Sequence, residues 1–389
     1  MKILFVSIST APFAPNDLLF YRAAENLLTA GHEVMVSPWD WKDRNALEYE
    51  RLRQQGAMLH FRTRNERPKG FIIRQLQKVR HRFNNARKEW RFAERFRPDA
   101  IVISDAATYH LLSVPGLCEF VEESGIPYFT ISQYNDENTS LPEHSYRLAQ
   151  GFFANARHCF FVSDRNLRVA QRQLAQDLPG AVVVHNAPNI SDWSPISYPK
   201  TKQARFCIPA RLECAVKGQA LAFQILSEPP WIGRDWHLTL YGRGPDERYL
   251  RDLARYLRLE GKVSFGGFSN DLRSVWAEEQ ILIMASSGEG KPLALIEAML
   301  CGRTAVVTDV GGNAELVIDG VSGFVAQSAT VASLKETMER AWISRSMWED
   351  MGRQAHDAMS KSLLSPPGKV VATYIIDAVS QKAMRPRAR

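Results

Sequence analysis

Short apolar runs of strand length alternate with longer helical stretches, and this grammar occurs twice along the chain. In the first half the runs are KILFVSI, HEVMVSP, AIVISD, PYFTISQ and CFFVSD, interleaved with stretches such as LLFYRAAENLLTAG and TYHLLSVPGLCEFVEESG. In the second half they are ARFCIPA, WHLTLYG, KVSFGGF, ILIMAS, TAVVTDV and SGFVAQ, with DERYLRDLARYLRLEG, KPLALIEAMLCG and TVASLKETMERAWISR among the helical stretches. Continuous apolar strands between helices are what a parallel sheet covered on both faces requires. The expectation is therefore an α/β chain of two Rossmann-like, doubly wound domains meeting at a cleft. The stretch from His185 to Gln203, rich in Pro, Asn and Ser and without either periodicity, marks the join. The domains are placed at 1–190 and 200–365, with a last helix over 367–385.

Bulk properties exclude several classes. At 389 residues, 45% hydrophobic and 23% charged, the chain can bury two cores of ordinary size. Its five cysteines form no CxxC pair and no metal-ligand spacing with histidine, which speaks against a disulfide framework or a zinc site and for a reducing cytoplasm. The opening MKILFVSIST reads as a strand, because a helix and a second strand follow it. No apolar run approaches the roughly 18 residues of a spanning helix, so a membrane contact would be peripheral. The net charge of +7 is concentrated. Between Arg62 and Arg97 thirteen Lys or Arg face only Glu66, Glu89 and Glu94.

The stretch SGEGKPLALIEAMLCG places Glu289 and Glu297 around a helix otherwise suited to burial. Pro292 suits a first turn and Gly302 a stop, so a helix is expected over 292–301, with Glu289 in the loop before it. A lone acidic residue in such a helix ordinarily faces water. Arg211 and Lys217, in PARLECAVKGQ, are cations that can clamp a diphosphate. LYGRGP puts Gly242 and Gly244 after one strand, and TDVGGNAE puts Gly311, Gly312 and Glu315 after another, where backbone must closely approach a ligand or a neighbouring element. YGRGPDE lacks the last glycine of a dinucleotide fingerprint and lies in mid-chain, which argues against a nicotinamide site.

Taken in order, RLECAVKG, LYGRGP, VSFGGF and SSGEGKPLALIEAMLCGRTAVVTDVGGNAELVIDGVSGFV resemble the retaining, nucleotide-sugar-dependent glycosyltransferases of family 4, which have the GT-B architecture. The resemblance is close over Ala204 to Val325, and its core is the E-x7-E pattern from Glu289 to Glu297. It implies two facing Rossmann-like domains, the last helix returning to the first of them. It also implies Glu297 on the ribose hydroxyls, Glu289 on the donor sugar, and backbone N–H groups from Gly290, Lys291, Pro292 and Leu293 toward sugar and phosphates (Pro292 itself having no N–H). Gly242 and Phe268 fall in the donor-binding motifs, while Arg211 and Lys217 would stabilise the departing nucleoside diphosphate. No DxD motif is present, and neither a metal nor a cofactor is expected.

The chain departs from that family in three places. STAPFAPNDLLF stands where a Gly-Gly loop is usual, and Ser104 and Asp105 stand where a histidine near the reacting carbon is common. Asp105 is the leading amino-domain candidate; His110 reads as structural, and Gln133 occupies a second place where histidine is frequent. Lys291 replaces an aromatic or aliphatic residue, which implies an altered donor preference.

The basic stretch 62–97 has two readings. Either Phe71, Ile72, Ile73, Phe83, Trp90, Phe92 and Phe96 form a core face with the cations in water, or it is a surface for an anionic membrane leaflet or a phosphorylated acceptor. No RNP, zinc-finger or helix-turn-helix context accompanies it, so nucleic acid is not expected. The function expected is transfer of a sugar, UDP-linked by preference and GDP-linked otherwise, to a glycan or lipid-linked saccharide in the cytoplasm or at the inner membrane face. A non-catalytic nucleotide-sugar sensor or scaffold, a GT-B epimerase and a phosphorylase are the alternatives.

Overall fold

The computed structural model describes residues 1–42, 46–63 and 86–384. It divides into two compact units, Met1–Ala187 with Ser365–Arg389, and Pro188–Leu364. The first unit is built on β1 (Lys2–Ile8), β2 (Glu33–Ser37), β3 (Met58–Leu59), β4 (Ala100–Asp105), β5 (Tyr128–Ser132), β6 (His158–Phe161) and β7 (Ala181–Val183). All pairs are parallel, in the order β3-β2-β1-β4-β5-β6-β7. The second unit holds β8 (Ala204–Pro209), β9 (Trp236–Tyr241), β10 (Val263–Gly267), β11 (Ile281–Met284), β12 (Thr304–Thr308) and β13 (Phe324–Ala326), again parallel, in the order β10-β9-β8-β11-β12-β13. Every apolar run read as a strand in the sequence is one.

Both sheets are doubly wound, with the progression of strands reversing between β1 and β4 and between β8 and β11. The alternate side chains of each strand enter two different cores. In the first unit Ile3 and Phe5 pack with the helix Leu18–Thr29, while Leu4 and Val6 pack with Trp90, Leu117 and Phe152. The helix Pro367–Met384 lays Val371, Ala372, Ile375 and Ala378 into the first of these cores, so the end of the chain belongs to the first unit. At roughly 25 cal/mol per Å² of apolar surface, burying such side chains contributes about 1.5–3 kcal/mol each.

Sequence periodicity differs from the structure at two kinds of place. The stretch read as one helix over TYHLLSVPGLCEFVEESG is a 3-10 turn at His110–Ser113 and a helix at Leu117–Ser124. Pro115 and Gly116 part them, Gly116 lying in the left-handed region with φ 66°. The edge strands β3 and β7, two and three residues long, were not among the runs read as strands. Among the described residues no helix is long and apolar enough to cross a membrane.

Most of the basic stretch, 64–85, lies outside the described residues, and with it Glu66, Phe71, Ile72, Ile73 and Phe83. Of the rest, Trp90 and Phe96 are core residues and Phe92 packs against them, as the core-face reading expects. Arg62 departs from that reading, because it is buried rather than turned to water.

Candidate active site

The second unit sets Arg211, Lys217 and Glu289 in the segments that follow the carboxyl ends of β8 and β11. After β8 the chain turns through Arg211 and the short helix Cys214–Lys217. Gly218 follows with φ 66°, its backbone so close to β11 that a Cβ would stand 2.1 Å from the Ala285 carbonyl oxygen. That approach sets the side chain of Lys217 beside the loop after β11, where its Nζ donates to Glu289 Oε1 at 2.6 Å. Ser286 Oγ donates to the same carboxylate oxygen at 2.7 Å, so Glu289, 8% exposed, is fixed from two sides. An ammonium has three donors, and one spent on Glu289 leaves two for an oxyanion. Arg211 reaches outward, 65% exposed, with Nε 3.4 Å from Glu213 Oε2.

The loop from Glu289 to Pro292 is braced against the turn after β12. Gly312 N–H donates to the Gly290 carbonyl at 2.6 Å. Gly311, at φ 51°, approaches so closely that a Cβ would lie 2.0 Å from the Glu289 carbonyl oxygen. Lys291, which the sequence suggested as a donor contact, is buried, with Nζ 3.2 Å from Glu315 Oε2. Its side chain ties the two loops together, and only its backbone remains suited to the role the resemblance implies. The helix begins at Leu293 and ends at Leu300, with Pro292 as its N-cap residue and Leu295, Ile296, Ala298, Met299 and Leu300 buried. Its first turn offers N–H groups and the positive end of the helix dipole to an anion.

Glu297 does not face water. It is 5% exposed, and Oε1 accepts the Asn189 N–H at 3.2 Å. Burial raises its carboxyl to about 7, with the Asn189 N–H opposing. Asn189 was not foreseen, since nothing in the sequence pairs a residue of the join with a helix more than a hundred positions later. What holds that join is Arg303, buried, donating to the carbonyls of Ile196 and Ser197 and to those of Trp276 and Glu279. Ser286 and Glu315 also gained roles only from the structure. Gly242 N–H donates to the Gly267 carbonyl at 2.7 Å, and Phe268, just beyond β10, is exposed.

In the first unit Asp105 ends β4 and is 1% exposed. Its Oδ1 accepts the Ala107 N–H at 3.0 Å and its Oδ2 the Leu111 N–H at 2.7 Å, which folds the loop back over the strand. Burial pushes its carboxyl up to about 8 against these backbone donors. His110, read from the sequence as structural, is instead half-exposed, with Nδ1 3.6 Å from Asp105 Oδ1. The polar group that Asp105 presents outward is therefore an imidazole, and burial lowers its pKa. Gln133, one residue past β5, is buried with both amide atoms unpartnered. In the loop that replaces Gly-Gly, buried Asp17 accepts the Ala14 N–H at 2.7 Å and closes the turn; burial raises it to about 6.

Two doubly wound units of this strand order define the GT-B class of glycosyltransferase fold. HepE of Anabaena in complex with UDP superimposes with a TM-score of 0.72 over 98% of this chain and 100% of that one, at 18% identity. Residues 190–358, within the second unit, match the family Glycosyl transferases group 1. An exopolysaccharide phosphotransferase of Streptomyces coelicolor is 33% identical over 128 residues, covering 32% of this chain and 14% of that protein. N-acetyl-alpha-D-glucosaminyl L-malate synthase of Bacillus anthracis is 26% identical over 140 residues, 36% of each. The chain thus spans only 14% and 36% of the length of these two relatives.

Proposed function

We propose that the chain is a retaining glycosyltransferase that transfers a sugar from a nucleotide sugar, UDP-linked by preference and GDP-linked otherwise, to a glycan or lipid-linked saccharide without a metal ion. The observation that carries the reading is the Lys217–Glu289 pair at 2.6 Å, at the mouth of a sheet edge that also presents Arg211 and the start of the helix Leu293–Leu300. Cleavage of a sugar-phosphate bond leaves negative charge on the diphosphate. Lys217, Arg211 and the helix N–H groups are positioned beforehand to receive it, and Glu289 is held where it can accept from sugar hydroxyls. Glu297 is placed to take the ribose hydroxyls in exchange for the Asn189 N–H. UDP in the HepE complex supports the uridine preference. The retaining course, in which the departing phosphate helps deprotonate the acceptor on the same face, follows the family resemblance. The first unit takes the acceptor, and we place the reaction in the cytoplasm, at the inner membrane face where the acceptor is lipid-linked.

Calorimetric titration with UDP, GDP, ADP and their common sugar conjugates, followed by assay of released nucleoside diphosphate, tests this. Specific binding of one nucleotide with slow release from its sugar conjugate is expected. Binding without release, persisting across a screen of acceptors, would instead identify a nucleotide-sugar sensor, and absence of binding would overturn the site.

A further inference from the structure

We infer that the carboxyl edge of the first sheet contains an oxyanion subsite built on Arg62, and that the acceptor bound there carries a carboxylate or a phosphate. The term acceptor rests on the proposed transferase reading; the subsite does not.

Arg62 is 2% exposed and bridges to Trp39 beyond the end of β2. Its guanidinium lies 4.1 Å from the Trp39 ring and 5.5 Å from the Trp90 ring, and Nη2 donates to the Ser7 carbonyl near the end of β1. Nε and Nη1 are buried without a hydrogen-bond partner, and among the described residues no carboxylate lies within ion-pair distance. Burial lowers the guanidinium to about 10, with Glu89 and Tyr49 acting through space in the other direction, so the charge persists at neutral pH. Stacked aromatic faces offset part of the desolvation of a cation, but they give its N–H edges nothing.

A second buried arginine in the same molecule shows what a purely structural one looks like. Arg303 donates to the carbonyls of Trp276, Glu279, Ile196, Ser197, Cys301 and Gly302. Arg62 has a single carbonyl. The groups around it are unsatisfied as well. The hydroxyls of Ser37 and of Ser104, which faces Ser7 in the β1–β4 register, are buried and unpartnered, and those of Ser7 and Tyr49 are buried within reach of each other. The Ser7 carbonyl that Arg62 meets and the Ser7–Ser104 pair stand at the ends of β1 and β4, between which the strand order reverses, the place beyond the carboxyl ends where doubly wound sheets take their ligands. A guanidinium with idle donors selects an oxyanion over a neutral hydroxyl.

The test is calorimetric and fluorescence titration of the intact chain with D-glucuronate, with glucose 6-phosphate and with glucose, the tryptophans beside Arg62 serving as reporters. One or both anions should bind with a fluorescence change that glucose does not give, glucuronate alone marking a carboxylate subsite and glucose 6-phosphate alone a phosphate subsite. Arg62→Met should weaken that binding at least tenfold and Ser7→Ala a few-fold, both with UDP binding retained. If Arg62→Met melts far below the parent protein, Ser7→Ala carries the comparison. Anions that bind no better than glucose, or equally well to both variants, overturn the subsite. Anion binding that persists in a chain that neither binds nor turns over nucleotide sugars would sustain the subsite and remove the transferase reading.

Discussion

The two units repeat one strand order, yet their carboxyl edges are finished in opposite ways. In the second, the charged side chains are paired with one another: Lys217 with Glu289, Lys291 with Glu315, and Glu297 with the Asn189 N–H. In the first, Arg62, Ser104 and Gln133 keep buried polar atoms without partners; in the second the amide oxygens of Gln219 and Asn313 do so too, but none of those charged groups does. A buried polar atom left unpaired costs about 1–3 kcal/mol, so such a cluster is held in place against its own stability. On the proposed reading, the difference separates a site organised in advance around a nucleoside diphosphate from one whose polar groups are completed by the acceptor, the shared half of the reaction in one unit and the individual half in the other.

Removing the internal partner in the second unit should produce the largest effect. Lys217→Ala takes away both the diphosphate's ammonium and the counter-charge of a nearly buried carboxylate. Turnover should fall by about two to three orders of magnitude, as for loss of one preorganised donor to a developing anion, with a smaller change in donor binding. Steady-state assay of nucleoside diphosphate release measures it. A Lys217→Ala enzyme with parental turnover would show that the pairing is merely structural and would erase the contrast between the units.

The next effect is a pH dependence. The carboxyl of Glu297 is raised from 4.5 to about 7, so in the folded chain it holds a proton through a range where the unfolded chain has lost it. Its burial thus weighs more heavily against folding as pH rises from 4.5 to about 7. For binding the sign is opposite: ribose hydroxyls donate best to the ionised form, which gains population as pH rises through about 7. Affinity for UDP-glucose, whose diphosphate does not titrate in this range, should be about tenfold lower one pH unit below that value than well above it. Glu297→Gln should bind weakly and show no such pH dependence. Calorimetry of both proteins across neutral pH decides, and a parent protein with flat affinity would remove Glu297 from the ribose.

How far these contrasts could be read in advance follows from the range of the interactions involved. The strands and the E-x7-E helix are local patterns, and both sheets lie where alternation of apolar runs put them. The contacts that give the site its form are not local. Glu289 meets a lysine 72 positions earlier, Lys291 a glutamate 24 positions later, and Glu297 a backbone amide 108 positions earlier. No periodicity encodes such pairs. Lys291 is instructive, since it was expected to alter donor preference and its side chain is set against Glu315 across the turn. His110 is the converse case, because the stretch that holds it was read as one helix, whereas the chain forms a 3-10 turn at His110–Ser113 and leaves the imidazole half-exposed beside Asp105.

Asp105 offers the finest test, because both of its carboxylate oxygens are taken by its own loop. Its carboxyl moves from 3.8 to about 8 on folding, chiefly by burial. Between those values the native chain keeps a proton that the unfolded chain releases, so stability declines as pH rises, at up to about 1.4 kcal/mol per pH unit. Asn cannot ionise and retains one acceptor oxygen, enough for either the Ala107 or the Leu111 N–H. Asp105→Asn should therefore lose a little stability at pH 5 and flatten the decline toward pH 8. Hydrogen–deuterium exchange of segment 100–113, corrected for the intrinsic pH dependence of exchange, reads this locally. If parent and variant show the same slope, Asp105 remains ionised in the native loop. The carboxylate would then act on His110 as a charge, raising the basicity of the imidazole rather than merely fixing its orientation.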